Sequence, residues 1–102
     1  MSSDLLTVTG TVFFRERIPL PPGAIATVKL VDGEGEVLAA TAIDSAAVPT
    51  EFTLVADPVF AADPDDLFIW AALRSEAGTW GTTDLVPVDD DANAVLLTKI
   101  EA

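Results

Sequence analysis

The sequence of 102 residues predicts an all-β fold, an antiparallel β-sandwich in a single domain that spans residues 1–102. Three observations predict it. Apolar and polar residues alternate with a period of two, turn residues recur about every 8–12 positions, and sustained helical periodicity is missing. About seven short strands with such spacing are typical of sandwiches of the immunoglobulin-like or transthyretin-like type. A small barrel is the alternative architecture.

Turn-forming residues separate the predicted strands. The Asp-Gly-Glu-Gly sequence at 32–35 consists of residues that tolerate positive φ, so it predicts a hairpin between the second and third strands. The run at 67–73 is almost wholly apolar, which is typical of a central strand buried on both faces, although its alanines also permit a helix. The predicted strands span residues 5–14, 24–31, 36–43, 50–56, 67–74, 79–85 and 94–100.

The chain is strongly acidic, with 17 Asp and Glu against 5 Lys and Arg and a formal net charge of −12 at pH 7. An acidic protein is repelled by phosphate backbones and anionic lipids, so we expect no nucleic-acid partner. The longest uncharged apolar run outside the proline-rich segment is far shorter than the roughly 20 residues that cross a bilayer, so we expect no direct membrane span. The sequence leaves the oligomeric state open.

The first residues, Met1-Ser2-Ser3-Asp4, lack the basic start and apolar stretch of a secretion signal. As given, the chain is therefore predicted to be cytoplasmic, or to lie in the cell envelope if a leader was removed. Because the chain contains no cysteine, disulfides give no information on the compartment.

The sequence contains no His, Cys or Tyr. It therefore lacks the usual general base near neutral pH, the thiolate nucleophile and the nitrogen and sulfur ligands of metals, so we predict a non-enzymatic protein without a cofactor. A candidate calcium loop at Asp89, Asp90 and Asp91 does not have the spacing of an EF-hand. A solvated turn is the favoured explanation of these three acids.

Candidate partner-binding residues fall into two groups. The basic–acidic–basic triplet at 15–17 ends the first predicted strand and precedes a proline-rich elbow, so it is either a solvated strand end or a recognition patch. The two tryptophans either pack in the core or against a sheet face, or anchor a partner if they are exposed. The candidates are Phe14, Arg15, Glu16, Arg17, Leu20, Trp70 and Trp80.

Residues 10–24 read Gly-x-Val-x-Phe-Arg-Glu-Arg-Ile-x-Leu-Pro-Pro-Gly-Ala, and Val28-x-Leu30-x-Asp32 follows. This pattern resembles the opening of the YbaY/YscW family of small lipoproteins. Shorter similarities, among them Thr-Thr-Asp at 82–84, extend the resemblance over nearly the whole chain. The chain differs from the family in having no lipidated cysteine, and in having Phe14 where the family usually has Tyr.

The resemblance implies a non-catalytic β-sandwich. The pilotins of type III secretion, which belong to this family, bind a terminal segment of an outer-membrane secretin and guide its assembly. We therefore expect a protein-binding, envelope-associated module that receives an apolar peptide in a groove between the sheets or at an exposed strand edge, oriented by the triplet at 15–17. The alternatives are a small-ligand carrier, which needs a cavity of about 300 Å³ or more, or a family member of unknown function with a structural calcium loop.

Overall fold

The computed structural model describes residues 6–15, 23–44, 50–57, 66–76, 78–88 and 93–100. Nine strands within these ranges confirm the predicted all-β fold. In chain order they are β1 (Leu6–Phe13), β2 (Ile25–Asp32), β3 (Val37–Asp44), β4 (Thr50–Ala56), β5 (Leu67–Ser75), β6 (Gly78–Gly81), β7 (Val86–Pro87), β8 (Asn93–Leu96) and β9 (Thr98–Ile100).

The strands form two sheets. The small sheet has the order β4-β1-β8, and the large sheet has the order β3-β2-β5-β6-β9, with β7 also paired to β5. A single core cluster draws buried residues from both sheets, for example Val12 and Leu54 from the small sheet and Leu30 and Ile69 from the large one. Among the described residues the fold is therefore the predicted sandwich rather than the alternative small barrel.

Buried and partly exposed side chains alternate along β5. Leu67, Ile69, Ala71 and Leu73 are buried, whereas the residues between them are only half-buried or exposed. Because successive side chains of a strand point to opposite sides, one face of β5 meets the core and the other faces outward. The predicted central position of β5 is confirmed, because it pairs with β2 on one side and with β6 and β7 on the other. The prediction that it is buried on both faces is wrong.

The last predicted strand, 94–100, is in fact two strands in different sheets. Leu97 lies at the corner between β8 and β9, is 2% exposed, and donates its amide hydrogen to the carbonyl oxygen of Phe13 at 2.7 Å. The predicted sixth strand, 79–85, is also shorter than expected because β6 ends at Gly81. Period-two alternation alone does not reveal where a strand ends or where the chain changes sheet.

The pairing of β1 with β8 is parallel, so the predicted antiparallel sandwich is confirmed except for this one pair among the described strands. Gly10 lies opposite Asn93 in this register, and a Cβ atom at Gly10 would collide with the Asn93 carbonyl oxygen. The Asn93 side-chain amide donates to the carbonyl oxygen of Thr9 at 2.8 Å. A glycine and a buried amide therefore hold the two strands at close range.

The hairpin between β2 and β3 agrees with the prediction from residues 32–35. The Asp32 Oδ1 atom accepts hydrogen bonds from the backbone amides of Glu34 and Glu36, both at 2.9 Å. Gly35 has a φ of 87°, a conformation that favours glycine. The turn makes β3 the antiparallel neighbour of β2, which lies between β3 and β5 in the large sheet.

Candidate partner-binding surface

The side of β2 and β5 that points away from the core forms a continuous surface, which we call the outer β2–β5 face. Its residues alternate along both strands with core residues such as Val28 and Ile69. Antiparallel pairing places two rows of side chains next to each other on this face. The cross-strand pairs are Ile25 with Arg74, Thr27 with Ala72, Lys29 with Trp70, and Val31 with Phe68.

One half of the outer β2–β5 face is apolar. Phe68 and Trp70 are half-buried, and Val31 is only 5% exposed although it lies outside the main core cluster. Val37, which pairs with Val31, is 53% exposed. Contiguous apolar side chains on the outside of a sheet mark interaction sites more often than single exposed residues do.

Lys29 lies over the ring of Trp70, with its Nζ atom 4.9 Å from the ring centroid. A cation at this distance is attracted by the ring, and such pairs contribute about 0.5–1 kcal/mol at exposed sites. The contact holds the ammonium group against the sheet. It therefore places a positive charge directly beside the apolar half of the face.

The other half of the face contains a depression of about 490 Å³ that is open to solvent. Its lining combines the aliphatic side chain of Ile25 with the guanidinium of Arg74, which is exposed. The depression therefore offers an apolar contact and a positive charge together, with the exposed acid Glu76 also in its lining. Its described lining residues are Gly23, Ile25, Thr27, Arg74, Ser75 and Glu76.

Phe14 and Trp80 lie inside the protein. Their rings stack with centroids 4.5 Å apart and an interplanar angle of 28°, and they are 6% and 0% exposed. Phe14 follows β1 of the small sheet and Trp80 belongs to β6 of the large sheet, so the pair joins the two sheets. Because both rings are buried, they could affect a partner only indirectly, through the packing of the core.

The remaining predicted site residues are only partly placed. Arg15 is exposed and lies two residues after the end of β1. The predicted partner-binding residues Glu16, Arg17 and Leu20 lie outside the described residues, as do the three acids at 89–91. Within the described ranges no cluster of three or more acids could hold a metal ion, and no helix has the length and apolar character to cross a membrane.

A family model described as "Type III secretion system lipoprotein chaperone (YscW)" matches residues 3–97. The chain belongs to the YscW family. This confirms the resemblance drawn from residues 10–24. A family of secretion lipoprotein chaperones implies a protein partner and an association with the cell envelope, and it is a non-enzymatic kind of protein. No protein among the curated sequences matches the chain.

The YscW-family fold is also found in a solved structure. The chain is similar to an alternative pilotin from the type II secretion system of Vibrio cholerae, with a TM-score of 0.83 and 23% sequence identity. The similarity covers 97% of this chain and 100% of the pilotin chain. At this identity the likeness establishes a shared fold.

Sequence reasoning on this YscW-family chain missed Lys29 and Arg74 as site residues. A usable signal was present, because Trp70 and Arg74 are four positions apart in β5 and must share a face. The pairing of Lys29 with Trp70 carried no such signal. It depends on the register between β2 and β5, which lie far apart in the sequence.

Proposed function

We propose that this chain is a pilotin-like chaperone, which binds a terminal segment of an outer-membrane secretin and guides its assembly. The observation that carries the proposal is the YscW family match over residues 3–97. A second support is the fold, which the chain shares with a secretion pilotin over nearly the full length of both chains.

The packing of the sandwich favours a partner on its outside. The side chains of Trp80, Leu30, Leu54 and Ile69 are fully buried between the sheets. A peptide entering between the sheets would have to displace such side chains from a closely packed interior, which is costly. An outer surface requires no such rearrangement.

Strand β3 offers a second route for the partner segment. Among the described strands β3 pairs only with β2, so its other side is an edge of the large sheet. Its sequence, Val37–Asp44, contains neither lysine nor proline, which commonly protect edges against pairing. An extended segment could add to this edge as a further strand.

The depression on the outer β2–β5 face gives less support to a small-ligand carrier. Its volume of about 490 Å³ is large enough for a small molecule, but it is open to solvent. Carriers bury roughly 70–90% of the surface of their ligand. An open depression suits one side chain or one turn of a larger partner better.

The test uses the full chain and the secretin encoded in the same genome. Peptides of about 20 residues that tile the secretin are titrated into the chain by calorimetry, with scrambled peptides of equal composition as controls. We expect one region near a terminus to bind with a negative heat-capacity change, because apolar surface is buried. If neither these peptides nor the intact secretin binds the folded chain, the proposal is wrong.

A further inference from the structure

We propose that the outer β2–β5 face is the docking surface, and that it takes an acidic amphipathic segment. Apolar side chains of the segment cover Phe68 and Trp70, and its carboxylates pair with Lys29 and Arg74. This inference rests on the proposed function. It adds the location of the binding surface and the chemistry of the segment that is bound.

The distribution of charge favours an acidic segment on the outer β2–β5 face. The chain has 17 acids and only 5 bases, and two of those bases, Lys29 and Arg74, stand on this one face. Among the outward positions of β2, β3 and β5 the only acid is Asp44, at the end of β3. Glu76 adds a further acid at the rim of the depression. An acidic segment is thus attracted to this face and repelled by a body of net charge −12.

The outer β2–β5 face also has the side-chain types that are typical of protein interfaces. Binding energy at protein interfaces is concentrated in aromatic residues and arginine, and the outer β2–β5 face has two aromatic side chains and one arginine. The Lys29 ammonium is already held over Trp70, 4.9 Å from the ring centroid. Because this lysine is partly ordered before binding, less conformational entropy is lost when a carboxylate pairs with it.

The spacing of the two cations defines the segment further. Arg74 is the register partner of Ile25, which lies four residues before Lys29 in β2. At about 3.3 Å per residue, the cations are separated by roughly 13 Å along the sheet. The segment should therefore have two carboxylates about that far apart, with apolar side chains between them that contact Trp70 and the depression beside Ile25. A further apolar side chain beyond the carboxylate that pairs with Lys29 should contact Phe68.

The experiment compares two lysines that have similar surroundings on different parts of the molecule. Lys99 also lies over a tryptophan, with its Nζ atom 5.7 Å from the ring centroid of Trp80, but it is in the edge strand β9. The variants Lys29→Glu and Lys99→Glu change the net charge equally. The probes are the tiled secretin peptides and the intact secretin, titrated into each full-length variant.

We expect Lys29→Glu to weaken binding of the tightest peptide by about tenfold or more, because a like charge then faces the segment. Arg74→Glu should have a similar effect, whereas Lys99→Glu should change the affinity less than about twofold. Replacing the peptide acid that pairs with Lys29 by lysine should restore binding to Lys29→Glu. Should Lys29→Glu fail to fold, as seen in its melting curve, Lys29→Gln replaces it.

Equal affinities for the Lys29→Glu and Lys99→Glu variants would overturn this inference and leave the proposed function intact. If the wild-type chain binds neither the peptides nor the intact secretin, both this inference and the proposed function are overturned. Two further outcomes would also overturn it. One is co-sedimentation with anionic phospholipid vesicles that depends on Lys29, and the other is a Lys29-dependent dimer, in each case without peptide binding.

Discussion

The two tryptophans of this chain belong to regions of opposite character. Trp80 is 0% exposed, stacks on Phe14 and joins the two sheets. Trp70 is half-buried on the outer β2–β5 face under the ammonium of Lys29. Both rings have a lysine nearby, so residue type and local charge do not distinguish them. Position in the sandwich therefore assigns one ring to stability and leaves the other accessible.

The largest expected effect is that of Trp80→Ala. Removing a fully buried tryptophan leaves a large cavity and should lower the free energy of unfolding by about 3–5 kcal/mol. Urea denaturation followed by circular dichroism measures this change. A loss below about 1 kcal/mol would mean that Trp80 does not join the sheets, and the comparison of the two regions would fail.

The stacked partner of Trp80 gives a smaller effect. In Phe14→Leu the volume is largely kept while the aromatic contact is lost, so we expect the free energy of unfolding to fall by about 1–1.5 kcal/mol. The matched control is Phe68→Leu on the outer β2–β5 face, where the ring is only half-buried. Equal losses in the two variants would contradict the assignment of Phe14 to the core.

Replacing Trp70 tests whether its ring is accessible on the outer β2–β5 face. Trp70→Ala should lower the free energy of unfolding by only about 1 kcal/mol, because the ring is half-buried and its main loss is the contact with Lys29. Single-tryptophan variants supply a second measurement. Iodide or acrylamide should quench Trp70 fluorescence in Trp80→Phe far more than Trp80 fluorescence in Trp70→Phe. The opposite order would contradict the structure.

The smallest effect concerns the two lysines. Lys29→Gln should lower the free energy of unfolding by about 0.5 kcal/mol. The reason is that a contact between a cation and a partly exposed aromatic ring stabilises the fold only weakly. Lys99→Gln should have a still smaller effect, because its Nζ atom is 5.7 Å from the ring centroid of Trp80 rather than 4.9 Å. Thermal melts of both variants at low and high salt would show whether their losses of stability differ.

Only part of the candidate surface could be predicted from the sequence, and its assembly could not. Alternation along residues 67–74 places Trp70 and Arg74 on one face, and local periodicity suffices for that conclusion. The addition of Lys29 required the pairing of β2 with β5, a contact between distant parts of the chain. Phe14 and Trp80 were candidates for partner contact, yet their packing against each other became visible only in the folded sandwich.

The amino-acid sequence alone is enough to show which segments are extended, which residues of β2 and β5 share a face, where the turn at 32–35 lies, and which family the chain resembles. These features depend on neighbouring residues and on period-two alternation. The folded structure was needed to show that β1 and β8 run parallel, that the chain changes sheet at Leu97, and that Trp80 is enclosed while Trp70 is not. The physical reason is that alternation distinguishes two faces of a strand, whereas the choice of sheet and depth depends on which distant strand packs against each face.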